Sequence, residues 1–346
     1  MNDCYLNLPA TAQREILEAA AAASNRSAAI LEKDIWLTFL LGQLFSMPDR
    51  LPMAFKGGTS LSKAYSVINR FSEDVDITVD YRSLAPDWPI TELLKQGTRF
   101  RSRFGDSLRE YVKRHTHNVI RPYLQRQLSA LPCADECSIN LSCDGEQLEV
   151  QYPSRVSVGG EYLRDHVLIE FGGRNIIDPN SIFTIRPDIA SMIPAVDFPQ
   201  AEVVVLAAER TFWEKATLIH AACNRLLPEG INRYSRHWYD LAMLARHACG
   251  KTAKTDMALL SDVIDLKNTF YRNQTTQYQR CLEGELKLIP SGDNLERLRT
   301  DFEAMRAAGM FYGVCIELEQ VLDDLSVLQE DINRTALRWT ALQSQR

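Results

Sequence analysis

Residues 55–80 constrain this chain more than any other stretch. They read Phe55-Lys56-Gly57-Gly58-Thr59-Ser60-Leu61-Ser62-Lys63 and, a short way on, Ser72-Glu73-Asp74-Val75-Asp76-Ile77-Thr78-Val79-Asp80. Asp74 and Asp76 alternate with Val75, Ile77 and Val79, so a strand here puts both carboxylates on one face and the apolar set on the other. Two like charges held side by side need a counter-charge. A divalent cation such as Mg2+ supplies one, because it takes carboxylate oxygens and keeps its other positions for water and phosphate oxygens. A glycine turn just upstream presents backbone N–H groups and the Thr59 and Ser60 hydroxyls to a phosphate. The segment therefore points to metal and phosphate meeting in one place.

The surrounding pattern is strand, glycine turn, helix, strand. A short strand at 53–55 leads into the turn, a helix is expected over about 60–68, and the carboxylate strand over about 75–79. Upstream, residues 11–47 carry apolar positions at helical spacing, broken near Ser24 to Ser27. Downstream, 138–152 alternates around Asp144-Gly145 and reads as a hairpin. A strand at 166–171 ends by this reading at Gly172-Gly173, and an apolar strand at 203–206 precedes a helix over about 209–225. From there to Arg346 the pattern is helical, interrupted near Pro228 and Pro290. The expected division is 1–207 and 208–346.

Phosphoryl chemistry on paired metal ions needs a third carboxylate from a neighbouring strand. Glu170 fits, a lone acid alternating with Val167, Ile169 and Phe171; the competing reading is a surface glutamate on an edge strand. Ser72 has a hydroxyl either for the triphosphate or for a backbone hydrogen bond that holds the turn. Arg233, Arg236 and Asp240 fall at i, i+3 and i+7, one helical face by spacing, suited either to phosphate or to a structural salt-bridge cluster.

The overall charge of −6 argues against indiscriminate nucleic-acid binding. Residues 95–126 break that trend, with nine basic residues against two acids. Arg101, Arg103, Lys113 and Arg114 are the candidates for contact with a phosphate backbone, and a solvated helix face is the alternative. No apolar run reaches the roughly 20 residues that cross a bilayer, and the first residues lack a basic export signal, so no membrane partner and a cytoplasmic location are expected. Eight scattered cysteines read as unpaired, mostly core residues; the Cys133, Cys137 and Cys143 spacing matches no usual zinc pattern.

The string Gly57-Gly58-Thr59-Ser60 followed by Ser72-Glu73-Asp74-Val75-Asp76-Ile77 resembles the signature of DNA polymerase β-type nucleotidyltransferases. With Arg70 ahead of it, and with Leu31-Glu32-Lys33-Asp34-Ile35-Trp36, it is similar to the AbiEii/AbiGii-type toxin nucleotidyltransferases and their MenT relatives. Further matching strings are Thr211-Phe212-Trp213-Glu214-Lys215, Asp240, Gly284 to Pro290 and Asp301 to Met305; Phe302 stands where tyrosine is expected. The resemblance implies an α+β fold: a polymerase β-type core, a mixed sheet flanked by helices, followed by a C-terminal helical bundle. It implies an Mg2+-dependent enzyme with Asp74, Asp76 and Glu170 on metal, and with Gly57, Gly58, Thr59, Ser60, Lys63, Ser72 and Arg236 on NTP. Lys215 and Asp240 complete the catalytic set. It also implies transfer to RNA, with the tRNA 3′ end as the acceptor those relatives suggest, and a cognate antitoxin or regulator as partner. A small-molecule or protein acceptor, or a nucleotide-binding module without turnover, are the alternatives.

Overall fold

The computed structural model describes residues 4–24, 26–142, 144–156, 164–230, 233–273, 275–313 and 316–343. They form two compact units, one of residues 1–86 and 105–206, the other of 87–104 and 207–346.

The first unit is built on a seven-stranded sheet. Its strands are β1 (Met53–Lys56), β2 (Asp74–Asp80), β3 (Ser138–Leu141), β4 (Gln147–Gln151), β5 (His166–Asn175), β6 (Asn180–Ile185) and β7 (Ala201–Leu206), in the spatial order β3-β4-β5-β2-β1-β7-β6. The β2/β5 and β1/β7 pairs are parallel and the others antiparallel, so the sheet is mixed. Val75, Ile77 and Val79 are buried on one face of β2, each contributing roughly 1.5–3 kcal/mol. That leaves Asp74 and Asp76 on the opposite face.

Helices α1 (Ala10–Ala23) and α2 (Ala28–Ser46) precede the sheet. The Ser27 hydroxyl caps α2 by accepting from the Ile30 N–H at 3.3 Å. α2 is apolar nearly all round, with Leu31, Ile35, Leu37, Leu40, Leu41 and Leu44 buried, as befits a helix inside a core. Glu32, Lys33 and Asp34 are buried with them, and each grips a different segment. Glu32 accepts from the Arg155 N–H at 2.6 Å and the Ser154 hydroxyl at 2.8 Å. Lys33 donates to Glu73 at 2.6 Å and to the Arg164 carbonyl at 3.0 Å. Asp34 accepts from Lys63 at 2.8 Å and from the Asp188 N–H at 2.7 Å. Burial pushes the Glu32 carboxyl up and the Lys33 ammonium down, and the Glu73 carboxylate partly restores the latter.

Several boundaries differ from the sequence reading. α3 (Gly57–Lys63) starts on the glycines themselves rather than after them, and it stops before 68. Ser66 takes the left-handed conformation, φ 53°, and the Val67 N–H returns to the Leu61 carbonyl at 2.9 Å, which closes the helix early. β5 runs through Gly172-Gly173 instead of ending there. A Cβ on Gly173 would collide with Val112, so the glycine marks a close approach of α6 (Thr98–His115) rather than a strand end. β6, at the sheet edge, has no counterpart in the sequence reading. The first unit also contains the helices α4 (Tyr81–Leu84) and α7 (Arg121–Ser129).

The second unit is helical: α5 (Ile90–Leu94), α8 (Ala208–Cys223), α9 (Ser235–Arg246), α10 (Ala248–Ala253), α11 (Met257–Phe270), α12 (Asp293–Ala307) and α13 (Leu318–Gln343). It includes residues 87–104, which the sequence division had placed in the first. The Gly284 to Pro290 stretch is held by side chains of α13: Asn333 accepts from the Leu286 N–H at 2.8 Å, and Gln329 from the Leu288 N–H at 2.6 Å. Among the described residues no helix is long and apolar enough to cross a membrane.

Candidate active site

The parallel pairing of β2 with β5 sets Asp76 directly beside Glu170, while antiparallel pairing with β1 sets Asp76 beside Lys56. Partners in register project from the same face, with strands about 4.8 Å apart. The glycine turn closes on the same point. Gly57 has φ +80°, and a Cβ built on it would collide with the Asp76 Oδ2 and lie 2.9 Å from its Cγ. Glycine is required here on both counts, since a side chain would be strained by the backbone and blocked by the carboxylate.

The other residues of the turn support it from inside. The Thr59 hydroxyl donates to the Asp74 carbonyl at 2.5 Å and the Ser60 hydroxyl to the Gly57 carbonyl at 2.9 Å, both side chains being buried. Both hydroxyls thus serve to fix the turn against β2, and what α3 offers a phosphate is its first-turn backbone N–H groups. Lys63 donates to Asp34 at 2.8 Å and Asp188 at 2.7 Å. It is held between two carboxylates, with Arg26 also paired to Asp188. Ser72 is buried. Asp80 caps α4 through the Arg82 N–H and holds the Arg82 guanidinium, so its carboxylate is used structurally.

Sequence reasoning missed Arg164. Its guanidinium lies 2.9 Å from the Asp74 Oδ1. Its backbone N–H donates to Glu73 Oε2 at 3.0 Å, while its carbonyl accepts from Lys33. Arg164 is distant in sequence from the residues it touches, and nothing local marks it.

In the second unit Lys215 of α8 and Asp240 of α9 form a buried ion pair, Nζ to Oδ2 2.8 Å. Lys215 is therefore not a surface lysine; it shares the core with Phe212, Ala216 and Ile219. Arg236 lies on α9, half-buried. Arg233 does not join that face: α9 begins at Ser235, and Arg233 lies before it with φ 61°. Asp301 explains the start of the helix, accepting from the Arg233 N–H at 2.6 Å and the Ser235 N–H at 2.7 Å. The family string around 301 thus positions α9, and with it Asp240.

The basic segment is not one continuous surface. Arg101 is a correction: it is 8% exposed and donates to the Asn268 carbonyl at 3.1 Å within the second unit. Arg109 is bound bidentately by Glu146, and Lys113 pairs with Glu110 at 3.0 Å. Arg103 and Arg114 are exposed.

A family model described as nucleotidyl transferase AbiEii toxin, type IV toxin–antitoxin system, matches residues 39–322. The chain belongs to this family. Among the solved structures, the AbiEii-family chain is similar to MenT4, nucleotidyltransferase toxin Rv2826c from Mycobacterium tuberculosis H37Rv. The two are 16% identical, the match covers 91% of this chain and 98% of that one, and the TM-score is 0.43. No curated protein matches the chain. As an AbiEii-family member the protein is a nucleotidyltransferase toxin of a type IV toxin–antitoxin system.

The donor set suits a hard divalent cation: three carboxylates, two on one strand and one in register on its neighbour. Among the described residues, however, no three acidic, histidine or cysteine side chains converge on one point. The partners explain this. The Glu170 Oε1 accepts from Gln147 at 2.7 Å, and Asp74 is turned to Arg164. The carboxylates fit the ion in kind and in register. Cys133 and Cys137 are unpaired thiols, with the latter pushed up to about 12, chiefly by burial; Cys143 lies outside the described residues.

Behind Lys215 on α8, His220 is fully buried. Its Nδ1 accepts from the Lys287 N–H at 3.0 Å, which places the ring proton on Nε2, facing the Gln277 carbonyl at 3.2 Å. Burial drives its pKa down to about 4. An imidazole of ordinary pKa 6.5 in the unfolded chain then takes up a proton more readily than the folded one. Stability from this residue is fully present above pH 6.5 and is lost as the pH falls toward 4. The expected loss is about 3 kcal/mol. Denaturant titration of the parent and of His220→Gln between pH 7 and 4 measures it, and parallel pH dependence in the two proteins would refute it.

Proposed function

We propose that the protein transfers a nucleoside monophosphate from an NTP to an RNA acceptor, the tRNA 3′ end, in an Mg2+-dependent reaction that stops translation. A cognate antitoxin or regulator would restrain it. The observation that carries the site is the β2/β5 register, which sets Glu170 beside Asp76 while the Gly57 backbone closes on the Asp76 carboxylate. The RNA acceptor is taken from the resemblance to the MenT relatives.

In this reading Asp74, Asp76 and Glu170 would hold the metal, which would supply charge stabilisation for an in-line displacement at the α-phosphorus. The N–H groups of Gly57, Gly58, Thr59 and Ser60 face the phosphates. Ser72 and Lys63 act through the turn and α3. Lys215, held in place by Asp240, supplies a compact positive charge to the β- and γ-phosphates, with Arg236 on the same helix as Asp240. Arg103 and Arg114, which are among the exposed members of the basic segment, would face an RNA backbone.

A second reading, with a small-molecule or protein acceptor, is favoured by the internal engagement of Arg101, Arg109 and Lys113. One experiment separates the readings. The protein is incubated with Mg2+, total tRNA and each of the four α-labelled NTPs in turn. Label on tRNA from at least one NTP is the expected result. Label appearing only on protein or on a small molecule overturns the RNA acceptor, and bound NTP without pyrophosphate release overturns the enzyme.

A further inference from the structure

Arg164 bears on Asp74 with a side chain that is not locked. Lys33, also close by, is wholly buried and committed to Glu73. Arg164 differs: its backbone is clamped at both its N–H and its carbonyl by that same Lys33–Glu73 pair, while its side chain is 35% exposed and its guanidinium bears on Asp74 Oδ1 at 2.9 Å. The side chain can leave without disturbing the chain that carries it.

We propose that Arg164 is a displaceable counter-cation for Asp74, competing with a divalent ion for the carboxylate and swinging out when the ion binds. The proposal rests on the carboxylate site described above. Two cations next to one buried carboxylate repel each other, so the guanidinium lowers the affinity of the site for metal as long as it stays. It also accounts for the failure of the three carboxylates to converge, since Asp74 is held toward the arginine. In return, Asp74 keeps a partner whether or not metal is present, which avoids an uncompensated buried charge.

The test measures Mn2+ binding to the full chain and to R164Q and R164K by calorimetry, with thermal melting alongside. R164Q is expected to bind Mn2+ about tenfold more tightly than the parent, and R164K, which keeps the charge, within about threefold of it. Without Mn2+ R164Q melts below the parent, and saturating Mn2+ closes that gap. Unchanged or weaker Mn2+ binding by R164Q, R164K binding as tightly as R164Q, or a melting gap that persists in Mn2+ would each overturn the proposal. No Mn2+ binding by the parent and either variant would instead sink the carboxylate site itself, and the proposal with it.

Discussion

Asp76→Asn should lower nucleotidyl transfer by about 10³-fold or more, with the melting temperature close to that of the parent. Asparagine keeps the size and shape of the side chain beside Gly57, removes the charge and replaces one acceptor oxygen by an NH2 donor. Asp76 sits at the junction of three elements, in register with Lys56 on β1 and Glu170 on β5 and against the start of α3. No other carboxylate on the sheet has that position, so none can take its place. The measurement is steady-state transfer from the labelled NTP identified with total tRNA, together with growth on induced expression. Transfer within tenfold of the parent would show that Asp76 holds neither metal nor substrate. Glu170→Gln gives the companion value, and a smaller loss is expected there because Glu170 already shares its carboxylate with Gln147.

The second large effect concerns stability. Lys33→Met removes an ammonium that is fully buried and takes it away from the Glu73 carboxylate, which is 3% exposed. Breaking a buried pair from one side costs about 3–5 kcal/mol, because the surviving charge is left in a medium that cannot solvate it. For a unit of this size that is roughly 6–20 °C in the melting transition. The double variant Lys33→Met/Glu73→Gln should recover much of the loss, since the surviving charge is gone. Scanning calorimetry of the parent, Lys33→Met, Glu73→Gln and the double variant decides the matter. A single variant within 2 °C of the parent would mean that the pair does not stabilise the fold.

What could be read from the sequence was local. Alternation in 74–79 gave the strand and its two faces, the Asp144-Gly145 turn gave the β3/β4 hairpin, and helical spacing gave α1, α2 and α8. Glu170 stood out because an acid interrupts an apolar run, and the observed register sets it beside Asp76. The readings that failed depended on distant partners. Gly172-Gly173 looks like a strand terminus until Val112 is seen packed against Gly173. Arg101 looks like a surface cation until the Asn268 carbonyl is found at its tip. Thr59 looks like a phosphate donor, yet its hydroxyl is spent on the Asp74 carbonyl; Ser60 is spent locally, on the Gly57 carbonyl. β6 escaped notice because most of its side chains face solvent, so no alternation marks it. Arg164 was invisible for the same reason in reverse, since a lone arginine in a loop carries no periodic signal.

The grip of α2 also bears on when the protein becomes active during its own synthesis. Lys33 reaches Arg164, 131 residues later, and Asp34 reaches Asp188, 154 residues later. β1, which flanks Asp76, is itself paired on its far side with β7, ending at Leu206. A ribosome that has released only the glycine turn and the two aspartates has made every residue of the motif and none of its long-range supports. Such late-closing contacts slow assembly and leave the nascent chain incomplete for most of its translation. The carboxylate site is therefore without these supports until Leu206, about three-fifths of the way along the chain, has emerged.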